Sequence, residues 1–342
     1  MYRSILIASI GFGSGHNRAA EAISESLALQ FPDAEIKIVD FLDFEKNLWD
    51  RLSIGIYFTA IKFFPQAYHF FYKIFSNLSW LHPILFLPYK KKMRWFLKSS
   101  RAELIVSTHV FCAWASCELK REGFNIKATW GILTDFIDDA YWNTCRLDRL
   151  FVPTEELKEK LIKNGIDESS ITVAQMPVSS RFYQKKDRYA ICKKIDPNLK
   201  SNLFTILVLG GGNGLGNIEE IVKGLLDMRV QILVVAGINN SLRERLEGLR
   251  QRYSNIFVFG YIDNIHELMD ISDICLTKPG GMTIAECMAK GLPMIIYGRP
   301  IPGPETENIA FLSKKNMAKK CETIKELQDI LLAKFNPDLT LI

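Results

Sequence analysis

Paired cysteines are missing from this chain. Its seven cysteines (positions 112, 117, 145, 192, 275, 287 and 321) are scattered, odd in number and never spaced C-x-x-C. That excludes a disulfide framework and a paired-thiolate zinc site, and it suits a reducing compartment. No apolar run reaches the roughly 18 residues of a membrane span. D-x-D, the usual carboxylate pair for a metal-held diphosphate, is absent, as are internal repeats and low-complexity segments. The N-terminus, MYRSILIASIGFGSG, carries no signal-peptide cleavage pattern, so a cytoplasmic protein is expected.

Acid is missing from one stretch. Between Arg51 and Ala102 there is no Asp or Glu, while nine Lys and Arg give it +9 and leave −4 for the rest of a chain whose formal net charge is +5. The same stretch holds 14 aromatic residues, among them Phe63, Phe64, Phe70, Phe71 and Trp80. Cations mixed with aromatic and aliphatic side chains describe an interfacial segment drawn to anionic lipid, with Lys90, Lys91, Lys92, Arg94, Trp95 and Phe96 as candidate membrane contacts. A basic surface over a buried aromatic core has the same composition. Nucleic acid is not expected, because so many Phe, Leu and Ile sit poorly against phosphate.

A chain of 342 residues exceeds one usual core, and two domains are expected. Residues 4–10 read as a buried strand that empties into Gly11-Phe12-Gly13-Ser14-Gly15-His16. Helical spacing on Ala19, Ile23 and Leu27 follows, then a strand over 36–39. After the basic aromatic insertion (41–101), strands are expected at 104–107, 128–133, 150–152 and 171–174, with His109 and Asp135 beyond the ends of the first two. Thr154 caps a helix with acids in its first turn and Gly165 past its end. The linker is expected from Gln175 through a polar stretch to Asn202. The second half restarts with a strand at 204–209 and a glycine loop, Gly210-Gly211-Gly212-Asn213-Gly214-Leu215-Gly216. Further strands are expected at 232–236, 256–259, 274–277 and 292–297. Alternating strand and helix in both halves means α/β architecture, two doubly wound Rossmann-like domains facing each other, divided as 1–176 and 177–342.

The most informative stretch is LTKPGGMTIAECMAKGLPMIIYGRPIPGPETEN, residues 276–308. Gly280 and Gly281 let backbone approach a ligand at a helix N-terminus, where free N–H groups and the helix dipole favour an anion. Glu286, one turn in, can accept both hydroxyls of a ribose, so a nucleoside diphosphate sugar fits the stretch. Neither glycine loop spells G-x-G-x-x-G, though Asp40 at the end of the second strand keeps a dinucleotide enzyme open. His16 stands where a general base would face a ligand, and a structural imidazole is its other reading. Without D-x-D, a departing diphosphate would be met by main-chain N–H groups at Gly212 to Gly216 and Gly280 to Thr283, which implies chemistry without a metal or other cofactor. Lys278 can neutralise phosphate or lie idle at the surface. Asp138 and Asp139 suit a solvated loop.

GFGSGHNRAAEAI, LGGGNGLG and TKPGGMTIAECMAKGLPMI with PGPETEN resemble the glycosyltransferase family of monogalactosyldiacylglycerol synthase and the bacterial diacylglycerol glucosyltransferases. They are more distantly similar to the GlcNAc transferase that makes lipid II. The resemblance covers nearly the whole chain. It implies a GT-B fold and an inverting enzyme peripheral on the inner face of the cell membrane, moving galactose or glucose from a UDP-hexose to diacylglycerol. In that reading His16 is the base, and Gly13, Gly15, His109 and Asp135 line the acceptor side. Gly211, Gly212, Asn213 and Gly214 lie by the diphosphate, Gly260 and Tyr261 hold the uracil, and Pro279, Gly280, Gly281, Thr283 and Glu286 hold the nucleotide and ribose. Gly303, Glu305 and Asn308 meet the sugar. Two departures stand out: Pro304 replaces the Gln of the family's P-G-Q-E, and Ile137-Asp138-Asp139-Ala140-Tyr141-Trp142 lacks the histidine usual before its tryptophan. UDP-GlcNAc transfer to a polyprenyl-linked cell-wall precursor, and a non-catalytic lipid or nucleotide sensor, are the alternative functions.

Overall fold

A computed structural model of the chain describes residues 2–11, 14–44, 82–137, 140–298 and 303–334, together with residues 55, 78 and 300. Gly13, Asp138, Asp139 and most of the basic aromatic insertion, including Phe63, Phe64, Phe70, Phe71 and Trp80, lie outside the described residues. The chain divides into two compact units, 1–179 with 301–307 and 180–300 with 308–342.

In the first unit the strands are β1 (Ser4–Ser9), β2 (Glu35–Asp40), β3 (Leu104–Ser107), β4 (Ala128–Ile132), β5 (Arg149–Val152) and β6 (Ile171–Val173). They form one sheet in the order β2-β1-β3-β4-β5-β6, every pair parallel. Alternate residues of β1 serve opposite faces, as the two-residue repeat of a strand requires. Leu6 and Ala8 join one buried cluster, Ile5 and Ile7 the other. Helix α1 (Ser14–Gln30) follows β1 and buries Ala19, Ala20, Ile23 and Leu27. Helix α2 (His82–Ser99) packs on α3 (Val110–Arg121), which follows β3. Helix α4 (Glu155–Lys163) starts at Thr154, whose side chain accepts from the Leu157 N–H, and is followed by Gly165 at φ +95°.

The first α-helix of the second unit is α5 (Arg188–Ile195). This helix lies inside the polar stretch expected to be linker. It is fixed there by Arg188, which grips Asp273 with two hydrogen bonds of 2.8 and 2.9 Å and also reaches the Leu203 carbonyl. Strands β7 (Thr205–Leu209), β8 (Gln231–Val235), β9 (Ile256–Phe259), β10 (Ile274–Thr277), β11 (Met294–Tyr297) and β12 (Ala318–Cys321) make a second parallel sheet in the order β12-β11-β10-β7-β8-β9. Helices α6 (Ile218–Leu225), α7 (Asn240–Arg250), α8 (Ile265–Asp270), α9 (Gly281–Lys290) and α11 (Ile324–Lys334) complete it, with α10 (Pro304–Lys314), whose residues up to Glu307 group with the first unit. Each sheet reverses its order once, between β1 and β3 in the first unit and between β7 and β10 in the second. Parallel sheets bind ligands at the strand carboxyl ends beside such a reversal.

Candidate active site

At the reversal in the first unit, α1 brings His16 against the residues that leave β3. His16 Nδ1 is 2.8 Å from the Thr108 carbonyl oxygen and 3.1 Å from Thr134 Oγ1. A carbonyl can only accept, so Nδ1 carries the proton and Nε2 keeps its lone pair. Burial pushes the His16 pKa down, while the charges of Asp135 and Asp40 and the bond to Thr108 pull it back up. The imidazole is therefore neutral at pH 7, with Asp135 and Asp40 favouring the imidazolium once a proton arrives. The His109 ring stands edge-on to His16, centroids 4.9 Å apart. Its Nδ1 accepts from the Phe111 N–H as the cap of α3, and burial holds its pKa well below the usual imidazole range. His16, His109 and Thr134 thus form one cluster, joined through electrostatics by Asp135.

Asp40 is a loop anchor. One of its oxygens accepts from Gly11 N and Leu42 N (3.1 and 2.9 Å), the other from Asn17 Nδ2 (2.9 Å). With its oxygens spent on the turn, it is not the ribose acid of a dinucleotide site. A Cβ on Gly11 would stand 2.4 Å from the Asp40 carboxylate, which is why glycine is needed there.

In the second unit, register places Thr277 of β10 beside Leu209 of β7, so the loops leaving these two strands emerge side by side. After β7 the glycine loop turns with Gly211, Gly214 and Gly216 at φ +69°, +57° and +98°. It is braced by Ile238 N donating to the Gly212 carbonyl at 2.9 Å. A Cβ on Gly214 would come within 2.1 Å of the Ala236 carbonyl oxygen, a backbone atom that cannot yield. After β10, Lys278-Pro279-Gly280 leads into α9, whose cap residue Gly280 provides no side-chain hydrogen bond. A Cβ on Gly280 would meet nothing within 4 Å. Asn308 Nδ2 donates to the Pro279 carbonyl at 2.8 Å and holds the turn in place. Glu286 lies on the second turn of α9 with only 2 % of its surface exposed. A carboxylate that deep is costly unless it serves a ligand or an internal hydrogen bond. At the far edge of the sheet, Gly260 and the half-exposed Tyr261 follow β9, and Arg243 of α7 lies against Gly260.

The second unit thus gathers Gly211, Gly212, Asn213, Gly214, Pro279, Gly280, Gly281, Thr283, Glu286 and Asn308 at or next to one switch point, with Gly260 and Tyr261 two strands away. Gly303 and Glu305 fall among the residues grouped with the first unit.

The expected membrane contacts need correction. Lys92 and Phe96 are buried, and Lys92 Nζ donates to the Phe41 carbonyl at 3.0 Å. Lys90 pairs with Glu122 at 2.8 Å and with Glu118, and Arg94 also bonds Glu122. The reason is packing: α2 sinks Phe86, Met93 and Phe96 into the core, each worth about 1.5–3 kcal/mol, and Lys92 follows with its amine satisfied. Acids absent locally are supplied by α3. The face that stays exposed is Ile84, Leu87, Lys91, Trp95 and Lys98, with Ile84 at 64 % and Trp95 at 55 %. These residues recur at three- and four-residue intervals, one side of a helix. That spacing is legible in the sequence, but charge density alone selects the lysine run and misses Ile84 and Leu87. Among the described residues, no helix is long and apolar enough to cross a membrane.

Solved structures share this architecture. A MurG from Acinetobacter baumannii is similar at a TM-score of 0.58 and 13 % identity, over 98 % of this chain and 92 % of that one. Arabidopsis thaliana UGT89C1, solved with UDP-L-rhamnose, is similar at a TM-score of 0.61 and 12 % identity, over 99 % and 91 %. The fold is GT-B, as expected from the sequence. The family model for monogalactosyldiacylglycerol (MGDG) synthase matches residues 16–178, and that for the glycosyltransferase family 28 C-terminal domain matches residues 205–340. Among curated relatives, the processive diacylglycerol beta-glucosyltransferase of Bacillus pumilus is 30 % identical over 90 % of this chain and 80 % of its own length. That of Bacillus subtilis is 28 % identical over 97 % and 87 %. The chain is a glycosyltransferase, and it belongs to the family of monogalactosyldiacylglycerol synthase and the diacylglycerol glucosyltransferases.

Proposed function

We propose that the protein transfers a hexose from a UDP-sugar to the free hydroxyl of diacylglycerol, with inversion at the anomeric carbon, while resting on the inner face of the membrane. The observation that carries this is the 2.8 Å approach of His16 Nδ1 to the Thr108 carbonyl oxygen, which makes Nδ1 the donor and leaves Nε2 as a neutral base for an acceptor hydroxyl. The acceptor oxygen attacks the anomeric carbon, its proton goes to Nε2, and the bond to the diphosphate breaks on the opposite side of that carbon. The diphosphate is received by main-chain amides of the glycine loop and of α9, so the reaction proceeds without a metal. Glu286 accepts the ribose hydroxyls, and Tyr261 lies by the base. Glu305 and Asn308 address the sugar, with Pro304 removing an amide that would otherwise contact it.

Support for diacylglycerol as acceptor comes from relatives whose names give that substrate, glucose as the sugar and β as the product linkage. UDP-hexoses of this kind are α-linked, so a β product requires inversion. Bilayer contact falls to the Ile84, Leu87, Lys91, Trp95 and Lys98 face, an amphipathic stripe of the kind that settles into the headgroup region. The test is incubation of purified protein with radiolabelled UDP-glucose, UDP-galactose or UDP-GlcNAc and vesicles containing diacylglycerol or a polyprenyl phosphate-linked acceptor, with chelator present. Label in a diacylglycerol glycoside is expected. Label only in the polyprenyl product, or in no lipid at all, would contradict the proposal.

A further inference from the structure

We propose that Lys278 is a catalytic cation whose ammonium contacts the terminal phosphate of the donor and takes up the charge that appears there as the sugar leaves. The inference rests on the UDP-sugar reading above and assigns a residue to which that reading gives no task.

Lys278 is the first residue past β10, at the sheet reversal. Its side chain crosses to the neighbouring loop, with Cε 3.3 Å from where a Cβ on Gly211 would stand. Gly211 itself has φ +69°, so the turn requires glycine, and the lysine stem passes close to it. The lysine backbone is held: its carbonyl accepts from Gly280 N at 2.8 Å and from Thr277 Oγ1 at 3.0 Å. Three features therefore lie together at the sheet reversal: the glycine loop, the start of α9 after Gly280, and the Lys278 stem that reaches Gly211.

The chemistry calls for such a group. When the anomeric carbon–oxygen bond breaks, its electron pair stays on the terminal phosphate oxygen, and the diphosphate goes from two negative charges to three. The acceptor proton goes to His16 Nε2 and is lost to water after the transfer. A helix N-terminus offers about half a charge. An ammonium offers a full one, at the atom where the new charge forms. It therefore favours the transition state over the bound sugar nucleotide.

The test compares wild type with Lys278→Met, which keeps the stem, and Lys278→Arg, which keeps the charge. Calorimetry measures binding of UDP and of UMP, which lacks the terminal phosphate, and turnover is measured with UDP-glucose and diacylglycerol vesicles. The Met variant should lose roughly 10²–10³-fold in kcat. Its UDP affinity should fall roughly tenfold or more and its UMP affinity hardly change, while Arg restores much of the UDP affinity. Should Met prove insoluble, Lys278→Gln makes the same comparison. Equal losses for UDP and UMP, or unchanged UDP binding and turnover, would overturn the assignment while leaving the donor reading intact. A wild type that binds UDP in neither assay overturns the donor reading and this inference with it.

Discussion

His16 is held so that one ring nitrogen is spent on structure and the other is open. Replacing it with Ala should lower turnover by roughly 10²–10⁴-fold, the usual range for a positioned base, while calorimetric UDP affinity in the second unit stays near wild type. The lowered pKa fixes the sign of the pH dependence. In wild type, kcat/KM should fall on the acid side only below pH 6.5, because burial keeps His16 neutral to lower pH than a free imidazole. An acid limb centred above 6.5 would contradict this assignment. Gly214 supplies a structural counterpart. Gly214→Ala would place a Cβ 2.1 Å from the Ala236 oxygen at φ +57°, costing on the order of 1–3 kcal/mol. A melting point lowered by several degrees together with weakened UDP binding is expected, and an unchanged variant would mean that the loop relaxes freely. Residue identity alone could propose His16 and Glu286. It could not assign Asp40, whose two oxygens satisfy three donors spread over Gly11, Asn17 and Leu42.

Among the elements, strands written as apolar runs were legible to within a residue or two, because a sheet buried on both faces must be built of such runs. Other elements were not, β12 and α5 among them. β12 reads Ala-Lys-Lys-Cys, since an edge strand tolerates lysines that guard it against pairing with another chain. α5 sits in a polar stretch and is fixed by the Arg188–Asp273 pair, a partner 85 residues away. Helix α2 shows why a charge count misleads: its lysines divide among solvent, the core and the acids of α3. Substitutions along the helix separate the three. Charge reversal at Lys91 and Lys98, or Trp95→Ala, should weaken binding to anionic vesicles, the charge changes more so at low salt, with little loss of stability. Lys92→Glu should instead destabilise the fold, because a buried carboxylate would face the Phe41 carbonyl. Equal vesicle binding by all of these variants would remove the membrane face.

At the scale of the molecule, two parallel sheets each open one switch point, the first beside His16 and the second beside the glycine loop and the start of α9. Stability should carry the imprint of the first site. His109 is buried neutral with its pKa depressed, so the unfolded chain takes up a proton that the folded one refuses. Its contribution is complete above pH 6.5 and is lost as pH falls below it. His109→Asn keeps an acceptor for the cap of α3 and should flatten the decline in melting temperature just below pH 6.5. Glu267 acts in a different window. Lys194, Asn264 and Lys186 hold it at about 2, so its share is lost only as pH falls from 4.5 toward that value. The most direct check on the whole account is the anomeric configuration of the glycolipid made from UDP-glucose and diacylglycerol in chelator, read from the coupling of its anomeric proton. A β-linked glycoside is the predicted result. An α-linked product, or a reaction that stops when divalent ions are removed, would contradict it.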